Sequence, residues 1–253
     1  MLHQIDYREL EAEAESADLV FCDPPYGVRY QNPYTHTKHE ILEGDEDSVD
    51  YGEIAQVGYR LLKQNTAIFL FTGWSVYPYH YPRVEAAGFK MKEPLVVQKR
   101  PSGTTDLKGA FQTNADWLIF GKKGRFQFKP TTLLRNKRAG TIPNKGRKPV
   151  PEWKRRFPSH WFGPEFPRST ENSSFQKKIL DLGAPCAHPT IKGLDFCKWI
   201  IELTTVPGDL VVDLCAGSGT TLLAAKQLGR RFIGCEVDPK FVALAQWRLE
   251  HNV

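Results

Sequence analysis

Four short, continuous apolar runs constrain this chain more than any other feature: DLVFC (18–22), AIFLFT (67–72), DLVVDLC (209–215) and RFIGCEV (231–237). They do not alternate apolar with polar residues, so as strands they must be buried on both faces, which is the condition of a parallel sheet layered between helices. Helical patterns separate them: near Tyr7–Glu15, Tyr51–Leu62, Val76–Ala87 (stopping before Gly88), Leu194–Thr204, TTLLAAKQL and PKFVALAQWRLEH. LHQI (2–5), PLVVQK (94–99) and ADWLIFG (115–121) add further strands. The last helical pattern is not followed by a strand, and a doubly wound sheet wants one more. The N-terminal LHQID can supply it, which makes the expected fold a circularly permuted, mostly parallel α/β Rossmann-like sheet.

A chain that is 41% hydrophobic can build a packed core. No apolar stretch reaches the ~20 residues that a bilayer requires, and MLHQIDYREL lacks the pattern of a secretory leader. A soluble, cytoplasmic protein without membrane contact is expected. The five cysteines contain no CxxC pair, and Cys22, Cys197, Cys215 and Cys235 lie in apolar runs. Buried, reduced thiols are expected, with neither disulfide nor metal site.

Asp23-Pro24-Pro25-Tyr26 follows the first buried run directly. Ligands in open α/β sheets sit at the carboxyl ends of strands. The prolines have no N–H, so their carbonyls and the Asp23 carboxylate form a set of acceptors without donors. Such a set suits an NH2 group, and Tyr26 adds a flat face for a planar base. A plain strand-ending turn is the alternative, since Asp and Pro are common there.

The stretch Asp213-Leu-Cys-Ala216-Gly217-Ser218-Gly219-Thr220-Thr221 joins a strand to a helix, and Glu236 ends the next strand nineteen positions after Gly217. Glycines admit a ligand close to the backbone, and an acid at that spacing suits ribose hydroxyls. The dehydrogenase fingerprint GxGxxG is broken by Leu222, and the GK[ST] of a phosphate loop is absent. Two acids with no compensating lysine favour a ligand with a ribose and a positive charge over a pyrophosphate. S-adenosylmethionine has both and carries no phosphate.

In this arrangement the chain resembles the beta group of DNA amino-methyltransferases, in which the DPPY motif comes first, a target-recognition region follows and the cofactor half comes last. The resemblance covers nearly the whole chain outside 121–186 and is carried most specifically by HPTIKG (188–193) and by PGDLVVDLCAGSGTTLLAAKQLGRRFIGCEVDPKFVALAQWRL. Members more often show HPTQKP and DPFAGSG, where this chain has Ile191, Gly193, Leu214 and Cys215. The resemblance implies a catalytic half at 1–120, a DNA-binding region at 121–186 and a cofactor half at 187–253. It places Asp23, Pro24, Pro25 and Tyr26 at the reacting amine. It also places His188, Thr190 and Lys192, at the start of a helix, near the methionine carboxylate, with Thr190 as a helix cap. Asp6 would face the cofactor adenine, and Asp213, Ala216–Thr221 and Glu236 would line the rest of that site. Asp116 stands where relatives carry Glu and is read as structural.

Between Gly121 and Lys178 there are sixteen Lys and Arg against three Glu, while the rest of the chain has 18 basic and 26 acidic residues. In this stretch Arg147, Lys148, Lys154, Arg155 and Arg156 alternate with aromatics such as Trp153, Phe157 and Trp161. Cations neutralise phosphates and aromatics stack on bases, so double-stranded DNA is the expected partner. A solvated surface insertion is the bland alternative. The polar stretch 27–47 is expected to close over a flipped nucleotide, with Tyr30 and Tyr34 contacting it. A homodimer and a cognate restriction enzyme stay open as partners. DPPY implies adenine N6 as the target, since relatives acting on cytosine N4 more often begin the motif with Ser. Cytosine N4 is the alternative. RNA and protein-glutamine methyltransferases usually have the reverse motif order, and a catalytically silent DNA-binding module would not need the intact motifs.

Overall fold

The computed structural model describes residues 1–26, 49–99, 115–129, 160–161, 169–171 and 173–253. Among them, nine strands form one sheet: β1 (Leu2–Gln4), β2 (Ala17–Cys22), β3 (Leu62–Thr72), β4 (Lys90–Met91), β5 (Leu95–Gln98), β6 (Ala115–Lys123), β7 (His160–Trp161), β8 (Leu210–Asp213) and β9 (Arg231–Glu236). The order is β1-β9-β8-β2-β3-β6-β5-β7, with β4 beside β6. From β1 to β3 every pairing is parallel; β6 then runs antiparallel to β3, β4 and β5. The helices are α1 (Tyr51–Leu61), α2 (Tyr77–Ala86), α3 (Ser173–Asp181), α4 (Leu194–Thr204), α5 (Thr220–Gln227) and α6 (Pro239–His251). None is long and apolar enough to cross a membrane.

The continuous apolar runs are buried on both faces, as a layered sheet demands. Val20 and Cys22 of β2 point into one core with Ile54 and Leu61 of α1, while Leu19 and Phe21 point into another with Phe196 and Ile200 of α4. β3 divides in the same way: Ile68 and Leu70 join the first core, Phe69 and Phe71 the second. The N-terminal strand completes the sheet by pairing parallel to β9, with Gln4 opposite Glu236. The circular permutation expected from the pattern is therefore realised. Cys22, Cys197 and Cys235 are buried and Cys186 and Cys215 half-buried, and all five are free thiols.

Local propensity was overridden in several places. The helix expected over Tyr7–Glu15 shrinks to a 3-10 turn at Tyr7–Glu9. Beyond it the carbonyls of Leu10 and Ala12 accept from the Arg60 guanidinium, and Glu15 takes a positive φ of 54° with its N–H on the Arg60 carbonyl. Side-chain donors from α1 thus replace the helical ladder. β3 begins at Leu62, five residues before the expected strand. β6 runs on to Lys123, whose buried ammonium donates to the carbonyls of Tyr59 and Leu62 at the end of α1. A further helix, absent from the patterns read in the sequence, lies within 121–186. α3 is amphipathic and buries Ile179, with Phe175 one turn earlier packed against it.

Gly219, at φ 75°, caps α5 where α6 crosses it, and an added Cβ would lie 2.7 Å from the Cβ and 3.1 Å from the Cα of Ala245. Gly208, at φ 90°, has nothing within 4 Å of the same position. Left-handed backbone costs a non-glycine residue about 1–3 kcal/mol. Gly208→Ala should lose that much in urea unfolding, whereas Gly219→Ala should lose measurably more because helix backbone must also move. Equal losses would show that the α5–α6 contact yields without cost.

Candidate active site

β2 and β8 are parallel neighbours, with Leu19 opposite Val211 and Val20 opposite Val212. The loops leaving their carboxyl ends therefore emerge side by side. They are tied directly, because the Leu214 N–H donates to the Cys22 sulfur at 3.2 Å.

On the β2 side, both oxygens of Asp23 are engaged. Oδ1 accepts from the Tyr26 hydroxyl at 3.0 Å, and Oδ2 lies 3.2 Å from Lys192 Nζ. Each oxygen keeps acceptor capacity, since a carboxylate offers about four lone-pair sites. Burial raises the Asp23 pKa, with Lys192 opposing the rise. The Lys192 ammonium donates to Tyr26 Oη at 3.4 Å and sits 4.4 Å from the centre of the Phe71 ring. The wall beyond it is Asp116 of β6, buried, which accepts from Ser169 Oγ at 2.6 Å and lies 3.9 Å from Lys192 Nζ.

On the β8 side, Asp213 is buried and accepts from the Cys215 N–H at 3.1 Å. Burial pushes its pKa up to about 7. The loop then folds back on β9: Ala216 N–H bonds to the Cys235 carbonyl, and Gly217 N–H to Glu236 Oε2 at 2.7 Å. Glu236 Oε1 accepts from Asp238 N–H at 2.9 Å, so two backbone donors orient this carboxylate while burial raises its pKa. Ser218 and Thr220 are buried and their hydroxyls lie 3.3 Å apart, with Thr221 buried beside them. His188 covers Gly217: a Cβ there would stand 3.1 Å from the imidazole Nε2. His188 Nδ1 accepts from Thr190 N–H, the ring packs on Phe241, and burial lowers its pKa to about 3. A neutral imidazole that accepts at Nδ1 carries its proton on Nε2.

One expectation, a helix beginning at HPT, needs correction. HPT does not begin a helix; α4 starts at Leu194 with Gly193 as its cap, and Thr190 is exposed in the turn before it. Residues 191–193 instead run beside 169–171, through the Thr170–Lys192 bridge and the Gly193 N–H to Ser169 carbonyl bond, which leaves no helical start for Thr190 to cap. The same pairing carries Lys192 to the Asp23 side of the site. Asp6 lies just past β1 and binds its own neighbour, with Oδ2 2.7 Å from Arg8 Nη2. Asp116, read as structural, closes the Lys192 cluster. Tyr30, Tyr34, Arg147, Lys148, Lys154, Arg155 and Arg156 lie outside the described residues.

Sequence reasoning missed Arg248. This fully buried side chain of α6 donates to the Ser218 carbonyl at 2.8 Å and to Thr220 Oγ1 at 2.7 Å, and so holds the glycine loop from beneath. The signal was present: Phe241, Leu244, Ala245 and Arg248 fall at i, i+3, i+4 and i+7, one helix face.

A family model described as DNA methylase (N6_N4_Mtase) matches residues 17–246. The Type II methyltransferase M2.DpnII of Streptococcus pneumoniae is 44% identical over 263 residues, which is 99% of this chain and 89% of that protein. The DNA adenine methyltransferase YhdJ of Escherichia coli (strain K12) is 26% identical over 94% of this chain and 77% of its own length. Among solved structures, the PvuII DNA methyltransferase (cytosine-N4-specific) superposes with TM-score 0.69 at 22% identity, covering 98% of this chain and 85% of that one. The M1.HpyAVI–SAM complex does so with TM-score 0.62 at 19% identity, covering 98% of both chains. With the family model spanning both motif loops and the sheet that joins them, this chain belongs to the N6/N4 DNA methylase family.

Proposed function

We propose that this protein transfers a methyl group from S-adenosylmethionine to N6 of an adenine flipped out of double-stranded DNA. One observation carries the reading. An acceptor-only loop, Asp23-Pro24-Pro25, leaves the sheet beside an acidic glycine loop that lacks the lysine of a phosphate site.

The cofactor fits the donor set. Glu236, already oriented by two backbone N–H groups, retains lone pairs for ribose hydroxyls. Asp213 and Glu236 favour a cationic ligand over an anionic one. The Nε2–H of His188 and the exposed turn at Thr190 are donors suited to the methionine carboxylate. Bound there, S-adenosylmethionine supplies an electrophilic methyl group on a sulfonium.

The chain's own residues act on the nucleophile. The lone pair of adenine N6 is delocalised into the ring. Asp23 and the Pro24 carbonyl accept its two N–H bonds and favour a tetrahedral nitrogen. The Tyr26 hydroxyl keeps Asp23 in place. Asp23 Oδ2 then takes the proton that the methylated nitrogen sheds. No covalent enzyme intermediate is needed, and Cys22, whose thiol burial pushes far up, has no part in the chemistry. Positioning and electrostatics do most of the catalysis.

The adenine-specific relative supports N6, and so does the Asp that opens the motif. The structural likeness to a cytosine-N4-specific enzyme makes N4 the second reading. The Type II designation of the 44%-identical relative suggests a restriction enzyme as companion. Digesting modified duplex DNA to nucleosides and finding N6-methyladenine by mass spectrometry is the expected result; N4-methylcytosine alone would move the assignment to the second reading.

Asp23→Ala should lower kcat by at least about 10²-fold, the usual scale for losing one positioned electrostatic group. Its affinity for S-adenosylmethionine, read by calorimetry, should stay within a few-fold. Glu236→Ala should do the opposite, weakening cofactor binding by about 1–3 kcal/mol through lost charged hydrogen bonds. Unchanged affinity in that variant would place the ribose elsewhere.

A further inference from the structure

Lys192 belongs to the site's other half from the one its motif suggested. Its side chain is 10% exposed, and Asp23 Oδ2, Tyr26 Oη and Asp116 Oδ2 lie 3.2, 3.4 and 3.9 Å from its Nζ. A buried ammonium is expensive unless carboxylates compensate it, and two do so here. Its backbone is strapped in place by the bridge to Thr170 and by Gly193 N–H on the Ser169 carbonyl, and Ser169 N–H in turn bonds to the Gln98 carbonyl of β5. Asp116 is held as rigidly by the Ser169 hydroxyl at 2.6 Å, with Lys99 Nζ 3.5 Å from its other oxygen.

We propose that Lys192 is a positioning residue for methyl transfer: in the ligand-free enzyme its ammonium holds Asp23 at the place the substrate's amino group will take, and it shifts its pairing to Asp116 when that amine binds. The inference rests on the function proposed above. An ammonium and an exocyclic amine are both donors, and Asp23 is an acceptor facing them. The ammonium cannot stay in the amine's place during transfer, because the reacting nitrogen gains positive charge and like charges repel. Asp116 supplies the alternative. It is too far for a good hydrogen bond in the present arrangement, yet near enough that a small swing of Nζ exchanges one carboxylate for the other without leaving the cation unpaired. The Phe71 ring face, 4.4 Å away, adds attraction for the cation.

The pH profile separates this role from a merely structural one. Asp23 must be ionised to accept from the amine, so activity falls as pH drops through its pKa. The Lys192 charge favours the ionised form. The other titratable groups facing this pair among the described residues are Tyr26 on its own loop, Tyr51 of α1, Asp213 and Cys215 after β8, Cys197 of α4 and His188. Asp213 titrates near neutrality, so the informative quantity is the difference between variant and wild type with cofactor and DNA both saturating.

In Lys192→Met, the acid limb of kcat should move up by about one pH unit or more, and kcat should fall by about tenfold or more. Affinity for S-adenosylmethionine, measured by calorimetry, should stay within about threefold. Lys192→Arg should return the limb toward its wild-type position. Asp116→Asn, which keeps the shape and removes the alternative partner, should lower kcat and move the limb down, because the ammonium then stays on Asp23. If Lys192→Met does not fold, Asp116→Asn still decides the matter, since an unmoved limb in that variant overturns the proposal. Loss of cofactor affinity with an unmoved limb would also overturn it, making Lys192 a cofactor ligand. A wild-type enzyme that binds S-adenosylmethionine but methylates no DNA would instead defeat the underlying function, and is read before any variant.

Discussion

The parallel pairing of β2 with β8 is the contact on which the site depends. Parallel neighbours end at the same edge, so two loops almost two hundred residues apart in sequence leave the sheet side by side. The pairing is secured at both ends. At its start Asp18 Oδ2 accepts from Leu210 N–H while the same carboxylate binds Lys63 of β3. At its finish the Leu214 N–H reaches the Cys22 sulfur. Were the strands antiparallel, the loops would lie a strand's length apart, at about 3.3 Å per residue.

These loops and the end of β9 gather acids in a medium that disfavours their charge. Burial raises the pKa of Asp23, Asp213 and Glu236 alike. Among the described residues, the buried cations Lys192 and Arg248 are used differently. Lys192 pairs with Asp23 and Asp116, and these partners outweigh the burial that would lower its pKa. Arg248, drawn down by burial to about 10, spends its Nη1 bonds on Ser218 and Thr220 instead of a carboxylate. Among the described residues Asp213 and Glu236 therefore have no direct cation partner, which suits the cationic ligand proposed above. Asp23, by contrast, is oriented by Tyr26 and paired with Lys192.

Much of this was legible in the chain. Continuous apolar runs identified the buried strands, and the missing last strand pointed to LHQID as the edge beside β9. DPPY and DLCAGSGTT named both loops, because prolines and glycines declare their backbone requirements locally. The misses share a different cause. The helix over Tyr7–Glu15 was lost to Arg60, fifty residues away, and α3 was masked by its Lys and polar residues although Phe175 and Ile179 sit a turn apart.

What the sequence by itself determined was the set of elements, their order and the two motif loops, since hydrophobic period and backbone stereochemistry are properties of neighbouring residues. Only the tertiary structure decided which buried charges meet. HPTIKG read as a cofactor segment, yet the pairing of 191–193 with 169–171 carries Lys192 to Asp23 and Asp116. Arg248 read as one more helix cation, yet the crossing of α6 under the glycine loop buries it against Ser218 and Thr220. A buried ion takes whichever partner the packing brings within a few ångströms, and that distance is set by how the elements stack, not by their spacing along the chain.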